Sequence, residues 1–402
     1  MIHRFKYFVL LSVVPCSVLA QALRGTEDLW SVRMGRSVIA MHPDSAVYQD
    51  EAKSRNWNYE QGVLFESLLR LWKQTRDTAF FEYVQRNLDY YIKEGGTIAT
   101  YEMNDFSLDN ISEGRPALRL FELSGKMKYR LAADTLRKQL ALQPRTGDGG
   151  FWHKKIYPFQ MWLDGIFMAE PFFAYYAAVA NEPEDFDEIA RQILLMDRHT
   201  RDTATGLLYH GWDEKRAQAW ADKTTGCSPT FWSRSMGWYV MGILDVLDWF
   251  PAGHPQRPAL VAAFRRAVTA VYQYRDPGTK LWFQVIDQPS RHGNFLESSA
   301  ACMFIYAAAK GANRGYLDDS MRYKAQESFS ALTKHFITTD DRGFLSLHEV
   351  CQGAGLGGVP YRDGSFEYYV NEPRRTNDFK GIGPFIFAAL ELEQGPQQKR
   401  SK

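Results

Sequence analysis

Apolar residues recur along this chain at intervals of three and four residues, the spacing that places them on one face of an α-helix. In the stretch 78–94, for example, Phe80, Val84 and Leu88 share a face, and polar residues occupy the opposite one. No stretch shows a convincing long β-strand pattern. The spacing predicts about twelve helices, near 27–40, 58–74, 78–94, 109–125, 128–142, 161–180, 184–198, 231–249, 256–274, 297–311, 317–336 and 381–393.

These predicted segments alternate in character. The odd-numbered ones, such as 78–94 and 256–274, are amphipathic, whereas the even-numbered ones, such as 161–180 and 231–249, are apolar on nearly every side. A helix with a polar face borders water, and a helix that is apolar all round is buried. We therefore predict an all-α fold of six helical hairpins, an (α/α)6 barrel with the even segments inside. An open helical solenoid would need polar units at its ends, and the apolar last segment, 381–393, favours closure.

Residues 1–20 have the pattern of a secretory signal peptide. Basic residues precede an apolar run from Phe8 to Leu19, and Ala20 offers a small residue for cleavage. An uncleaved N-terminal anchor is the alternative, although the run is too short to span a bilayer comfortably. We expect 21–402 to form one domain, secreted across the inner membrane into a bacterial periplasm and not inserted in the membrane.

Composition and charge exclude several classes of function. The 48 Lys and Arg residues balance 47 Asp and Glu residues, so no basic excess is available to bind nucleic acid. The cysteines after the leader, Cys227, Cys302 and Cys351, lack zinc-ligand spacing, and the sequence has no HExxH, Gly-rich phosphate loop or GxSxG. Nothing demands a metal or cofactor, and the low cysteine count suits a periplasmic protein. The oligomeric state stays open.

Long links join odd to even segments, and several share a theme. Gly149-Gly150-Phe151-Trp152-His153 is similar to Gly206-Leu207-Leu208-Tyr209-His210. In a closed barrel the N-termini of all inner helices gather on one rim, where their free N–H groups attract anions. Aromatic and charged residues near that rim would suit a sugar that carries a carboxylate, because indoles stack on sugar rings and Arg pairs with carboxylates. These residues are Tyr59, Asp109, Trp162, Asp164, Trp232, Arg234 and Trp238.

Each candidate also has a purely structural interpretation. Asp164 lies in an apolar helix start, where a carboxylate is costly unless it is paired or its pKa is raised, and a raised pKa would suit a general acid. Asp109 could instead be a helix N-cap. Lys154 could be surface charge, and Arg234 could belong to a structural salt bridge. The tryptophans could be core residues.

Several motifs resemble those of the unsaturated rhamnogalacturonyl hydrolases, glycoside hydrolase family 105. They are Phe151-Trp152-His153-Lys154, Tyr157-Pro158-Phe159-Gln160-Met161-Trp162-Leu163-Asp164-Gly165, Trp232-Ser233-Arg234-Ser235-Met236-Gly237-Trp238 and the ending Asn377-Asp378 with Lys380-Gly381 and Gly383-Pro384. The resemblance covers essentially the whole mature chain and implies an (α/α)6 barrel. It also implies release of a 4,5-unsaturated uronic acid from the non-reducing end of a lyase-generated oligosaccharide, with rhamnogalacturonan favoured as the parent glycan.

The resemblance further implies the role of each site residue. Asp164 protonates C4 of the vinyl ether and then activates the water that adds at C5, and Asp109 positions Asp164 or the sugar hydroxyls. Either Lys154 or Arg234 holds the uronate carboxylate. Phe159 replaces an expected small polar residue, which concerns subsite preference and not the chemistry. The remaining positions that match substrate contacts are Tyr59, His153, Trp162, His210, Trp232 and Trp238.

Two other functions compete with this one. A sugar epimerase or lyase on the same toroid would need bases on opposite sides of the sugar, and His153 with His210 could serve. A non-catalytic periplasmic glycan-binding protein would use the same aromatic rim without Asp164 chemistry. Product analysis and the Asp164→Asn variant separate these possibilities.

Overall fold

A computed structural model describes residues 28–48 and 51–394, so the predicted signal peptide at 1–20 lies outside the described residues. None of the helices in these two ranges has the length and apolar character needed to cross a lipid bilayer. The helices there are α1 (Trp30–Met41), α2 (Tyr59–Thr75), α3 (Thr78–Tyr91), α4 (Gly114–Ser124), α5 (Met127–Leu142), α6 (Leu163–Ala180), α7 (Asp185–Thr200), α8 (Ser233–Val246), α9 (Arg257–Gln273), α10 (Ser298–Asn313), α11 (Asp319–Phe336), α12 (Phe366–Asn371) and α13 (Phe379–Glu393).

Six of these helices form a closed inner ring. Helices α2, α4, α6, α8, α10 and α13 contact one another in that order, and α13 packs back against α2. Their side chains are almost entirely buried, whereas the outer helices keep an exposed face. The chain is therefore an (α/α)6 barrel, and the predicted alternation of inner and outer helices is confirmed.

The strands are short and belong to the loops. They are β1 (Gln160–Trp162) with β2 (Gly211–Asp213), β3 (Ile337–Thr339) with β4 (Leu345–Leu347), and β5 (Val350–Cys351) with β6 (Arg374–Arg375), each pair antiparallel. Because 160–162 pair with β2, the helix predicted from 161 begins only at Leu163. The helix predicted from 109 begins at Gly114, after a 3-10 turn at Leu108–Ile111. Helix α12 was not predicted, since six residues are too few to show a helical period.

Inner helices approach one another closely where glycine faces a neighbour. A Cβ on Gly242 of α8 would lie 3.0 Å from the backbone of Ile166 and Phe167 in α6. That separation is below ordinary van der Waals contact, so a larger residue would push the two helices apart. Gly242 therefore fixes the distance between the two helices that begin nearest the candidate site.

An ion-pair network crosses the middle of the ring. Asp245 of α8 accepts hydrogen bonds from Arg70 (3.0 Å), Arg115 (2.6 Å), Lys310 (2.7 Å) and Tyr306 (2.5 Å), which come from three other inner helices. Burial alone would raise the pKa of Asp245, but the three surrounding cations outweigh it and hold the pKa well below its ordinary value. The network therefore joins four inner helices across the barrel axis through paired charges.

Candidate active site

Long loops and the N-termini of the inner helices share one rim, and backbone hydrogen bonds connect them. Leu108 N–H donates to the carbonyl of His153 (3.0 Å), and His153 N–H donates to the carbonyl of Gln160 (2.8 Å). Leu163 N–H donates to the carbonyl of His210 (3.0 Å). These bonds place four predicted site residues side by side: Asp109, His153, Asp164 and His210.

Asp109 is an ion-pair partner and not a helix cap. Its carboxylate contacts Lys154 Nζ directly, and its Oδ1 lies 3.3 Å from His153 Nε2. Burial works to raise the pKa of Asp109, but Lys154 and then His153 outweigh burial and lower it. The N-cap interpretation is wrong because Asp109 lies in a 3-10 turn that precedes α4, and the surface-charge interpretation of Lys154 is wrong because this lysine is partly buried against Asp109.

Asp164 has a different environment. It occupies the first turn of α6, is 9% exposed, and makes no capping hydrogen bond. Its Oδ2 is buried and lies 3.1 Å from His210 Nε2, although the two atoms are not aligned as a hydrogen bond. Among the residues that the structure describes, no lysine or arginine nitrogen lies within 4.0 Å of this carboxyl group. Asp164 therefore sits beside an imidazole at a helix N-terminus, free of a permanent cation.

An aromatic stack forms one wall of the site. Trp162 lies between His153 and Tyr157, with ring centroids 4.6 Å and 4.7 Å away and nearly parallel planes. Burial lowers the pKa of His153 to about 4, with the nearby Asp109 opposing the shift, so this ring is neutral at neutral pH. Both faces of Trp162 are covered, so its indole does not offer the free stacking surface that the sequence suggested.

His210 lies at the centre of a second aromatic group. Its ring is 4.8 Å from Trp232 and 5.3 Å from Trp162, between centroids. Its Nδ1 is 2.7 Å from the hydroxyl of Tyr369, which comes from α12. Trp162 thus contacts both imidazoles, since it also stacks on His153. An arrangement of His153 and His210 as epimerase bases on opposite sides of a sugar is therefore not favoured.

Arg234 is a buried guanidinium without a carboxylate partner. It is 1% exposed, its Cζ lies 4.8 Å from the ring centroid of Trp232, and it donates to the carbonyl of Cys351. Its Nε has no hydrogen-bond partner, and no carboxylate oxygen within the described part of the chain lies within 4.0 Å of it. The interpretation of Arg234 as part of a structural salt bridge is therefore wrong. Such a site is ready to accept an anionic ligand group.

Tyr59 and Trp238 close the remaining side. Their rings meet edge to face at 6.2 Å, and Trp238 also packs on Phe167 at 4.7 Å, fully buried. Burial raises the pKa of Tyr59 well above its ordinary value, and the charges of both Arg234 and Asp109 act on its hydroxyl. Tyr59 is therefore near both groups, whereas Trp238 supports the wall from behind.

Sequence reasoning missed two residues of this rim. Tyr157 begins one of the family motifs, but its contact with Trp162 depends on the turn that folds 157–160 back. Tyr369 lies 159 positions after His210 and carries no local signal. The rim as a whole provides two carboxyl groups in different environments, a histidine beside each, and a buried arginine.

A family model and a solved structure indicate the group of enzymes to which this chain is similar. A family model described as Glycosyl Hydrolase Family 88 matches residues 30–395. A solved structure from C. acetobutylicum ATCC 824, described as a glycoside hydrolase from family 105, is 38% identical with a TM-score of 0.88 and covers 91% of this chain and 99% of its own.

Two further proteins are more distant. The chain is 24% identical over 251 residues to the unsaturated rhamnogalacturonyl hydrolase YesR of Bacillus subtilis, covering 61% of this chain and 68% of that protein. It shares its fold with an unsaturated glucuronyl hydrolase from Bacillus sp. GL1, with a TM-score of 0.67 at 15% identity over 94% of this chain and 97% of the other.

Proposed function

Because the chain belongs to the group of glycoside hydrolases formed by families 88 and 105, we propose that Asp164 is the acid that starts removal of a 4,5-unsaturated uronic acid from an oligosaccharide. The resemblance to family 105 that the motifs suggested is confirmed. The enzyme is a glycosidase that hydrolyses unsaturated uronides. This activity needs a proton donor, an anchor for the uronate carboxylate and walls around the sugar, and the rim offers a candidate for each.

The contrast between two carboxyl groups carries the proposal. Asp109 is held by Lys154 and His153, which lower its pKa, so it is ionised at neutral pH. The buried Oδ2 of Asp164 lies 3.1 Å from His210 Nε2, and no lysine or arginine nitrogen in the described part of the chain lies within 4.0 Å of this carboxyl group. Two carboxyl groups kept in different environments on one rim support a division of roles into a fixed anion and a proton donor.

The proposed reaction is hydration of the vinyl ether. The C4=C5 electron pair takes the proton of Asp164 to form a C4–H bond, which leaves a cationic C5 stabilised by the ring oxygen. Water adds at C5 and returns a proton to the Asp164 carboxylate. The bond from C5 to the ring oxygen then breaks, which gives a keto group at C5 and a hemiacetal at C1. The hemiacetal collapses to an aldehyde, and the remaining sugar leaves with the hemiacetal proton. The N-terminus of α6 stabilises the transient Asp164 carboxylate.

Arg234 holds the uronate carboxylate in this proposal. Lys154 and Arg234 were both candidates, but Lys154 is in contact with Asp109. Arg234 is buried and has an unpartnered Nε. A guanidinium binds a carboxylate through two parallel hydrogen bonds, and it would hold the unsaturated ring in one orientation. Asp109 and Tyr59 would then contact the sugar hydroxyls, with His153, Trp162, His210 and Trp232 forming the walls and Trp238 supporting Tyr59 from behind.

The parent glycan and the compartment are further proposals. The name of the relative YesR supports a rhamnogalacturonan-derived oligosaccharide as substrate. The pattern of residues 1–20 supports secretion into a bacterial periplasm. Both rest on sequence and similarity and not on contacts of the rim.

Incubation with lyase-generated unsaturated disaccharides tests the function. Turnover should remove the ultraviolet absorbance of the conjugated double bond and release the open keto form of the uronate. Asp164→Asn should lower kcat by about 10²- to 10⁴-fold, the usual contribution of a general acid, and should still bind the disaccharide. Asp197→Asn, which changes a buried carboxylate on outer helix α7, is the control. A turnover number for Asp164→Asn equal to that of the unmodified enzyme would contradict the proposal.

A further inference from the structure

Tyr369 and Asp164 lie on opposite sides of the His210 ring. The Tyr369 hydroxyl is 2.7 Å from Nδ1, and Asp164 Oδ2 is 3.1 Å from Nε2. His210 and Tyr369 are each fully buried. Both nitrogens of the imidazole therefore face a specific group, and the proton that a neutral ring carries can occupy only one of them.

The Tyr369 hydroxyl decides which nitrogen carries that proton. Within the described residues, His210 Nδ1 is the hydroxyl's single hydrogen-bond partner. If Nδ1 donated to the hydroxyl, the hydroxyl hydrogen would be buried without an acceptor, which is costly. Burial also raises the pKa of Tyr369 well above its ordinary value, so the hydroxyl keeps its hydrogen. The hydroxyl therefore donates to Nδ1, and the ring proton belongs on Nε2.

We propose that Tyr369 is a positioning residue that fixes His210 in the Nε2–H tautomer, which places an N–H donor beside Asp164 Oδ2. This inference rests on the proposed role of Asp164. When this contact tightens so that Oδ2 accepts from Nε2–H, the acidic proton of Asp164 must occupy the other oxygen, Oδ1. Oδ2 is buried, so the exposed part of this side chain does not include it, and Oδ1 is the oxygen left to face a substrate.

The same arrangement helps after the proton has left. Once Asp164 has protonated the substrate carbon, its carboxylate keeps the Nε2–H donor, which stabilises the anion. The 3.1 Å contact is not yet aligned, and catalytic hydrogen bonds commonly tighten when substrate binds. Tyr369 is itself fixed by Trp232, which stacks on it at 5.7 Å with planes 15° apart.

Other titratable groups surround the three residues Tyr369, His210 and Asp164, which are called the relay below. These groups also affect the pH profile of the activity. His153 carries electrostatic interactions with both Asp164 and His210. Tyr369 interacts electrostatically with Tyr368 of its own helix, with Asp164, with Cys351 of β5 and with Arg362 of the loop before α12. The variant that tests the relay must therefore leave these groups unchanged, which the loss of one hydroxyl from Tyr369 does.

The tautomer can be measured directly in the full-length enzyme labelled with ¹⁵N-histidine. The His210 resonances, assigned with a His210→Gln variant, should show a protonated Nε2 and an unprotonated Nδ1. Tyr369→Phe should lose this preference, lower kcat about 10- to 100-fold with KM nearly unchanged, and alter the pH profile of kcat. Tyr129→Phe removes another buried hydroxyl, bonded to Asp89 at 2.6 Å, and should change none of these quantities.

A double-mutant cycle separates positioning from a general structural effect. Gln at position 210 can offer an N–H without a tautomer, so Tyr369→Phe should cost much less in the His210→Gln background than alone. Additive effects, a proton on Nδ1, or a Tyr369→Phe enzyme with unchanged kcat and pH profile would overturn the inference. Each of these results leaves the proposed function standing if Asp164→Asn is inactive. Failure to turn over any unsaturated uronide would overturn the proposed function, while the tautomer would still be read from the spectrum.

Discussion

Lys154 Nζ contacts the carboxylate of Asp109 directly, whereas no lysine or arginine nitrogen in the described part of the chain lies within 4.0 Å of the Asp164 carboxyl group. The lysine comes from the loop before β1, and the aspartate comes from the 3-10 turn before α4. Burial would raise the pKa of Asp109, and the lysine and His153 reverse that effect. The ion pair therefore favours the charged form of Asp109, and the proposed mechanism assigns the proton-donor role to Asp164.

Removal of the lysine should change the acidic side of the activity profile. In Lys154→Met, the burial of Asp109 is no longer opposed by the amine, so the pKa of Asp109 should rise. If catalysis needs ionised Asp109, the acidic limb of kcat/KM should move to higher pH. Lys155→Met, at the adjacent exposed position, is the matched control. Coincident acidic limbs for Lys154→Met and the unmodified enzyme would show that the pair has no such role.

Substitution of Arg234 should weaken substrate binding selectively. Hydrogen bonds to charged groups contribute about 1.5–3 kcal/mol, so Arg234→Met should raise KM for an unsaturated uronide about 10- to 100-fold. Arg234→Lys should restore only part of this binding, because an ammonium lacks the planar fork. A methyl-esterified substrate should bind equally to the unmodified and variant enzymes. Similar losses for the acid and the ester would indicate that Arg234 acts through packing.

His153 should make the stability of the fold depend on pH. Its pKa in the folded protein is about 4, below the ordinary 6.5, so the unfolded chain binds this proton more readily. The contribution of neutral His153 to the free energy of unfolding should therefore be fully present above pH 6.5. It should fall by about 1.4 kcal/mol per pH unit as the pH drops from 6.5 to about 4. Denaturant unfolding of His153→Gln should show a shallower slope over that range. The control His292→Gln, at an exposed position, should retain the full dependence of unfolding free energy on pH. If His153→Gln shows the same dependence, His153 is not the group that causes it.

Asp245 should be important for stability and not for the reaction. Its removal in Asp245→Ala takes the shared carboxylate from the buried cations, so that Arg115 keeps only Glu66 at 3.5 Å and Lys310 keeps only Asp248 at 2.7 Å. Breaking a buried pair in this way typically costs about 3–5 kcal/mol, which chemical denaturation would measure. Arg198→Ala breaks an exposed pair with Asp148 and should cost less than about 1 kcal/mol. Equal losses in the two variants would mean that the axial network does not stabilise the barrel.

The sequence by itself determined the architecture and the side of the barrel on which the candidate residues lie. The spacing of apolar residues along a helix indicates which side chains are buried. The contrast between the amphipathic segment 78–94 and the apolar segment 161–180 was therefore enough to predict outer and inner helices. Parallel inner helices must begin on the same rim, and Asp164 and Arg234 both lie in first turns. Burial is a local property of each helix, which is why a single sequence conveys it.

Only the tertiary structure decided which charged group meets which. Asp109 could have capped a helix, yet it pairs with Lys154, and Arg234 could have been in a salt bridge, yet it has none within the described part of the chain. Tyr369 reaches His210 across 159 positions. These contacts depend on the paths of irregular loops between hairpins, whose turns and short strands have no repeating pattern. A residue's partners in such loops follow from packing of the whole ring, which no local pattern encodes.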